Sequence, residues 1–308
     1  MSDRLRDRMN GDGCRICAGP LEPFRRGRAE RPAPEDLAPS NHRPGEHGDL
    51  VRCPDCGAVQ QPGLPSGAAL HDLYRRMSDE HYLAEQQGRR ATARRVLRTI
   101  AAHVPAGRLL DVGCGHGLLL DEARRMGYDT LGLELSRTGA GHARDVLGLE
   151  VCEEPVEDFA MTAERFDVVV LADVLEHTVT PERVLAEVRG RLAPGGTVLV
   201  SIPNFAHWYP RLRVAAGRFD YDRRGILDRG HVRFFTDRSF RRLAADAGYR
   251  IPARGVTGLP IEVAERGGAA GRSGLGGVGE VVGRVDRFAA RQWPTMFGYQ
   301  LLYELVPT

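Results

Sequence analysis

The stretch Leu109-Leu-Asp-Val-Gly-Cys-Gly-His-Gly-Leu-Leu-Leu120 limits what this chain can fold into more than any other. An apolar strand ends at Asp111, and Gly113, Gly115 and Gly117 alternate before an apolar run of helical character. Glycines there allow positive φ, and their missing Cβ lets a ligand lie against the main chain. About 20 residues further on, a second apolar run, Thr130-Leu-Gly-Leu-Glu-Leu135, carries Glu134 at its end. A carboxylate at the tip of a neighbouring strand can accept hydrogen bonds from both hydroxyls of a ribose. A tight turn before an ordinary helix would account for glycines alone. The glycine loop together with the acidic strand tip points to a nucleoside-binding crevice.

From residue 106 onward, apolar runs alternate with amphipathic ones. Strands are predicted at 108–112, 129–134, 149–152, 166–172 and 196–202, with helices near 116–126, 137–147 and 181–192. That alternation gives a parallel sheet with helices on both faces, and right-handed crossovers bring the strand ends to one edge. Upstream, an amphipathic helix runs roughly from Gln87 to His103 and stops at Val104-Pro105. The expected domains are a small lobe over 1–70, a helical link over 71–105, and the α/β domain over 106–308 with a lid at about 205–235. A chain of 308 residues is long enough for one large domain with such an appendage.

Cys14-x-x-Cys17 and Cys53-x-x-Cys56 account for four of the six cysteines. Two-residue spacing lets both thiolates of a pair reach one ion, and two pairs complete a tetrahedral site of four cysteines. The small residue after each second cysteine lets the backbone turn its amides toward sulfur. Disulfides are the competing reading. The N-terminus, Met-Ser-Asp-Arg-Leu-Arg-Asp-Arg, lacks the apolar core of an export signal, so a reducing, cytoplasmic compartment and structural zinc are expected. With four protein ligands the site is closed and serves folding. Residues 18–52 between the knuckles are rich in Pro, Arg, Gly and Glu and read as an irregular loop. Cys152 reads as a buried strand residue, and Cys114 as a small apolar side chain inside the glycine loop.

No apolar run reaches the roughly 18 residues that span a bilayer, so no membrane insertion is expected. All 43 basic residues are arginine, and the formal net charge is only +2, which argues against nucleic acid as partner.

The order D-x-G-x-G-x-G, with single residues between the glycines, departs from the dinucleotide fingerprint G-x-G-x-x-G. It resembles motif I of the class I S-adenosylmethionine-dependent methyltransferases. Later segments resemble that superfamily in order: Phe166-Asp-Val-Val, then Asp173-Val-Leu-Glu-His177, then Leu192-Ala-Pro-Gly-Gly196 before the fifth strand. A helix at 237–247, a strand near 249–257 and a final strand in Tyr299–Val306 complete the pattern, with the Gly-rich stretch 267–280 and a helix near 281–291 between the last two strands. The resemblance implies a Rossmann-like seven-stranded sheet, mostly parallel, with the last strand antiparallel. It also implies S-adenosylmethionine as cofactor. Asp111 would lie near its ammonium group, Gly113, Cys114, Gly115 and Gly117 would form the loop, and Glu134 with Leu135 would meet the ribose. Val156 and Glu157 would stand by the adenine, and Asp173 would face the sulfonium. His116 departs from the small hydroxyl residue more usual at its position.

Methyl transfer is an in-line displacement, so the enzyme positions the acceptor and removes its proton. His177 is the first candidate base, against a role supporting the helix that starts near Pro181. His231, in a segment resembling the family's H-x-x-x-F cover, and His207 after the fifth strand are the others. Two cysteine knuckles before such a core resemble bacterial enzymes that modify sugars, natural products or cell-envelope intermediates. The absence of a large further C-terminal domain favours an O- or N-acceptor over carbon. No convincing set of carboxylates for catalytic Mg²⁺ stands out, so metal-independent transfer to a small-molecule acceptor is expected. The competing functions are an RNA methyltransferase with a zinc module and a non-catalytic zinc-bearing interaction protein. Oligomeric state is left open.

Overall fold

The structure, a computed structural model, describes residues 13–27, 48–62, 67–79, 82–159, 165–217, 219–222, 225–228, 230–257, 285–286 and 288–308. The Gly-rich stretch 267–280 and most of the 18–52 loop lie outside the described residues, as does the start of the helix expected near 281–291. Among the described residues no helix is long and apolar enough to cross a membrane.

Seven strands form the main sheet: β4 (Arg108–Val112), β5 (Asp129–Leu133), β6 (Val151–Cys152), β7 (Phe166–Ala172), β8 (Leu192–Pro203), β10 (Tyr249–Thr257) and β11 (Gln300–Pro307). Their order is β10-β11-β8-β7-β4-β5-β6. The five strands from β8 to β6 run parallel, and β11 runs antiparallel to both β8 and β10. The expected Rossmann-like, mostly parallel sheet is thus found, and its chain order reverses between β7 and β4, where such sheets open a crevice. The centre is β7, whose run Val168-Val-Val-Leu171 has no exposed surface, as a strand covered on both faces requires. The fifth strand is longer than its apolar run, because Leu192–Gly196 adds to the pairing with β7 through an irregular register at Phe166–Val168.

The helix α2 (Gln86–Ala101) buries Ala93, Val96, Leu97 and Ile100, one stripe at three- and four-residue spacing. It lies against α3 (Leu118–Arg125), where Arg90 bonds Asp121 and Glu122 at 2.6 and 2.9 Å and Arg94 bonds Glu122 at 3.0 Å. The helix α4 (Arg137–Asp145) starts on a Ser136 cap. The helix α5 (Pro181–Gly190) starts with proline in its first turn. The helix α7 (Asp237–Asp246) carries a reciprocal Thr236–Ser239 capping box.

A second, four-stranded antiparallel sheet has the order β1-β2-β3-β9. Its members are β1 (Glu22–Arg25), β2 (Leu50–Arg52), β3 (Val59–Gln60) and β9 (Arg233–Phe234). Two of these strands fall where sequence suggested only irregular chain. The apolar residue in Glu22-Pro-Phe-Arg25 gives the reason: Phe24 lies edge-on to Phe205 and Phe219, 6.5 and 6.4 Å between ring centres. The sheet joins distant chain segments, since β3 pairs with β9 through Val59–Phe234 and Gln60–Arg233. The cysteine lobe and the segment read as a lid are one structural unit.

Gly117 caps α3 at φ +78°, and a Cβ there would meet Leu149 Cδ1 at 2.7 Å and Ala143 Cβ at 2.8 Å. Gly117→Val combines left-handed strain, about 1–2 kcal/mol, with overpacking, about 1–3 kcal/mol. The variant should lose about 2–5 kcal/mol of stability in urea unfolding, and an unchanged midpoint would show that α3 and α4 are not held apart by this contact.

Candidate active site

The crevice opens over the C-terminal ends of β4, β5 and β7. Its floor is a loop hung on the neighbouring strand: the Leu133 carbonyl accepts hydrogen bonds from Gly113 N (2.7 Å) and Cys114 N (3.0 Å). Gly113, Gly115 and Gly117 all have positive φ, between +55° and +78°. Glu134, 8% exposed, is fixed by two backbone amides, Gly115 N to one carboxylate oxygen at 2.7 Å and Ser136 N to the other at 2.6 Å. Each oxygen keeps a lone pair for a further donor. Burial raises the Glu134 pKa, against the pull of those amides.

Asp111, at the end of β4, is 3% exposed and does not itself line the cavity. Burial, and then the charge of Glu134, holds its pKa well above the ordinary carboxylate range. A buried acid of this kind favours a cationic ligand, because a positive group restores the ionised form.

The cavity, about 290 Å³, is lined by Gly113, Gly115, Glu134, Leu135, Val156 and Glu157 on the sheet side. Two residues of the glycine loop turn elsewhere. The Cys114 thiol packs into the core beside Gly132, with its pKa raised by burial, and Gly117 makes room for α4. The opposite wall comes from the chain before β4, including Leu70, Tyr74 and Met77 from the region of α1 (Gly67–Arg76). Met77 is tied across the crevice: its carbonyl accepts from Ser136 Oγ at 3.0 Å and Thr138 Oγ1 at 3.2 Å.

His116 has a structural explanation that composition did not supply. Its ring stacks on Tyr82, 4.3 Å between centres at 13°, and the Arg89 guanidinium lies 3.9 Å from the centre of the Tyr82 ring. Desolvation, then His142, lowers the His116 pKa to about 4, so a neutral ring lies over the loop. Sequence reasoning misses Tyr82, Arg89 and Tyr74 because they sit in a segment that reads as a link. The spacing Leu70, Leu73, Tyr74, Met77 is the signal that could have found this wall.

Asp173 follows β7 in the left-handed region, φ +56°. Gln300 on β11 donates to both its oxygens at 2.8 and 2.9 Å, and Ser201 on β8 donates to one at 3.3 Å. Its carboxylate opens to the cavity, while the protein crowded around its other sides pushes its pKa up to about 6. Gln300 lies 127 residues away in sequence and gives no signal there.

The three histidines are placed differently. His177, in the short turn Leu175–His177, lines the cavity. His231 stands behind it, 4.8 Å between ring centres and 5% exposed. His207 is fully buried at the start of α6 (Trp208–Ala215), where it caps Tyr209 N at 3.3 Å and stands 5.9 Å from the Tyr299 ring. It does not line the cavity.

The four cysteines converge. Cys14 and Cys56 sulfurs are 3.6 Å apart, Cys17 and Cys53 sulfurs 3.5 Å, and all four lie within 4.8 Å of one another. A tetrahedron with metal–sulfur bonds of about 2.3 Å has an edge of about 3.8 Å. The residues after the second cysteine of each pair, Ala18 and Gly57, are both left-handed, φ +59° and +77°.

The methyltransferase-domain family matches residues 82–253. This chain belongs to that family. In sequence it is 37% identical over 102 residues to a ubiquinone biosynthesis O-methyltransferase of Cereibacter sphaeroides and 38% identical over 104 residues to one of Caulobacter. Each match covers 32% of this chain and 41% of the relative, so the chain spans about two fifths of the length of these curated relatives. In structure it is similar to a SAM-dependent methyltransferase of Thermotoga maritima, with a TM-score of 0.51 and 18% identity over 74% of this chain and 95% of that one. A SAM-dependent methyltransferase of Archaeoglobus fulgidus gives a TM-score of 0.50 at 16% identity, over 74% and 99%. By family this chain carries a methyltransferase domain, and its fold is that of SAM-dependent methyltransferases.

A raised Asp111 pKa has a definite sign for cofactor binding. The unliganded carboxyl holds its proton above the ordinary pKa near 4, and an ammonium group draws it to the ionised form. Affinity for a ligand whose ammonium meets Asp111 should therefore tighten as pH rises above the ordinary carboxylate range, with proton release on binding. Calorimetry in buffers of different ionisation enthalpy measures it, and proton uptake in wild type would remove Asp111 from the ammonium site.

Proposed function

We propose that the protein transfers a methyl group from S-adenosylmethionine to an oxygen or nitrogen of a small-molecule acceptor. The observation that carries this reading is the pairing, across one loop, of buried Asp111 with doubly anchored Glu134. Asp111 would face the cofactor's ammonium, the loop amides its carboxylate, and Glu134 the ribose diol. Val156 would shield the adenine edge, with Glu157 beside it. Asp173, held by Gln300 and Ser201, would face the sulfonium methyl.

The acceptor would enter over Leu70, Tyr74 and Met77 and present its atom near Asp173 and His177. This wall is mostly apolar, which suits a flat aromatic or other weakly polar acceptor better than a charged polymer. The O-methyltransferase relatives favour oxygen as the atom methylated. His177 is the imidazole placed to contact the reacting group. In-line displacement leaves the protein the work of positioning and proton removal.

The four-cysteine cluster would hold structural zinc, closed to substrate by its four ligands. Buried Arg233 on β9 fits a cluster of net negative charge: Cys14 and Glu182 lie in its field, and its Nε and Nη1 have no hydrogen-bond partner among the described residues. Free thiols at this site accord with a reducing, cytoplasmic compartment.

The test uses the full chain with S-adenosylmethionine and a panel of phenols, catechols and amines, following S-adenosylhomocysteine release. Asp111→Asn should weaken cofactor binding at least about tenfold, the loss of one charge-assisted contact. His177→Ala should bind the cofactor as wild type and lose about 10²–10⁴ in turnover. A wild-type protein that gives no calorimetric signal at millimolar cofactor would overturn the reading. Zinc removal by chelation should lower the melting temperature of the whole protein, since β3 shares its sheet with β9. A melting curve indifferent to chelator would count against zinc.

A further inference from the structure

We propose that Arg233 is a positioning residue of the acceptor wall, which carries the metal occupancy of the four-cysteine cluster to residues 178–180 while the sheet side of the crevice keeps its own supports. The starting observation is a buried cation. Arg233 is 1% exposed and one of the largest side chains that the protein encloses fully. Its Nη2 donates to the Thr178 and Val179 carbonyls, both at 2.7 Å, and its Nε and Nη1 have no hydrogen-bond partner among the described residues. A guanidinium buried on those terms is costly unless negative charge lies in reach. Desolvation lowers its pKa to about 10, and Glu182 and then Cys14 oppose that shift. Glu182 stands in the first turn of α5, and Cys14 belongs to the cluster. Thiolates gathered on a divalent ion supply the second source of negative charge.

The same residue ends a run of bonds that starts in the first knuckle. Arg15 N donates to Gln60 Oε1 at 3.2 Å. Gln60 pairs with Arg233 across β3 and β9, and Gln61 N donates to the Val232 carbonyl at 3.0 Å. The Gln61 side chain adds a bond from Nε2 to the His231 carbonyl at 3.2 Å. Order in the knuckle is thereby passed to β9 through the backbone, and charge in the cluster reaches Arg233 through space.

The receiving end is the acceptor side. Thr178, Val179 and Thr180 line the cavity. Thr178 and Val179 lie between the His177 turn and α5, outside both, so no helical ladder satisfies their carbonyls and Arg233 supplies the donor. Val179 and Val232 pack with Leu70, Tyr74 and Met77, the wall over which the acceptor would enter. The glycine loop and Glu134 are fixed instead by the Leu133 carbonyl and the Gly115 and Ser136 amides. A cluster emptied of metal loses its charge and its order together, and residues 178–180 then lose the hold of Arg233. The word acceptor here rests on the proposed methyl transfer, whereas the coupling itself does not.

The test is amide hydrogen exchange on the full chain, zinc-loaded or stripped by chelator, alongside zinc content and calorimetry with S-adenosylmethionine. Stripping wild type should speed exchange over 174–184 and 231–234 at least about tenfold, and leave 113–117 and 134–139 within about twofold. Arg233→Met keeps the buried stem and removes the donors. It should hold its zinc and its cofactor affinity, yet show the same local acceleration with zinc bound. Arg233→Lys should restore slow exchange, because a single nitrogen makes both bonds and an ammonium carries three donors. For phenols, catechols or amines that the enzyme methylates, Arg233→Met should raise KM at least about tenfold and change kcat less than about threefold. Exchange in wild type indifferent to zinc would overturn the proposal, and that comparison needs no variant to fold. Acceleration spread equally over the glycine loop, or a zinc-loaded Arg233→Met as slow as wild type, would overturn it too. Local acceleration in a protein that gives no heat with S-adenosylmethionine would support the coupling and overturn the methyltransferase reading.

Discussion

The Leu133 carbonyl and the Glu134 carboxylate together hold the glycine loop, and the rest of the crevice is arranged around that loop. Two adjacent amides of the loop converge on one carbonyl, and a third is held by the carboxylate of the next residue. The loop of β4 is thereby hung from the tip of β5, and the gap between β4 and β7 becomes a binding edge. The acid doing this is the one expected to grip the ligand's sugar. On the proposed reading, binding and loop geometry share a single side chain, and a change at Glu134 would act on both.

A second coupling runs across the top of the crevice. The lobe carrying the cysteines is not an independent bead on the chain, because β3 extends its sheet into β9. Arg233 on β9 donates from Nη2 to the carbonyls of Thr178 and Val179, both at 2.7 Å, just beyond the His177 turn. His231 lies two residues before Arg233. Any ion that orders the cysteine knuckles therefore also orders the strand that places His231 against His177. Through this sheet the proposed zinc site would influence the proposed acceptor side, with no ligand of its own touching the reaction.

The sheet is largely legible in the sequence because its signals are local. β4 and β7 have the bounds their apolar runs predict, and the glycine spacing together with the acidic tip of β5 locates the crevice. The less legible parts depend on contacts between distant segments. β1 exists because Phe24 reaches an aromatic group from residues 205–234, and no periodicity in four residues announces that. Gln300 meets Asp173 only because β11 inserts beside β8. The Asp173-Val-Leu-Glu-His177 run stands out as a motif, yet nothing in it singles out the carboxylate of Glu176. Its surroundings depend on His231, which arrives beside it from a segment much later in the chain.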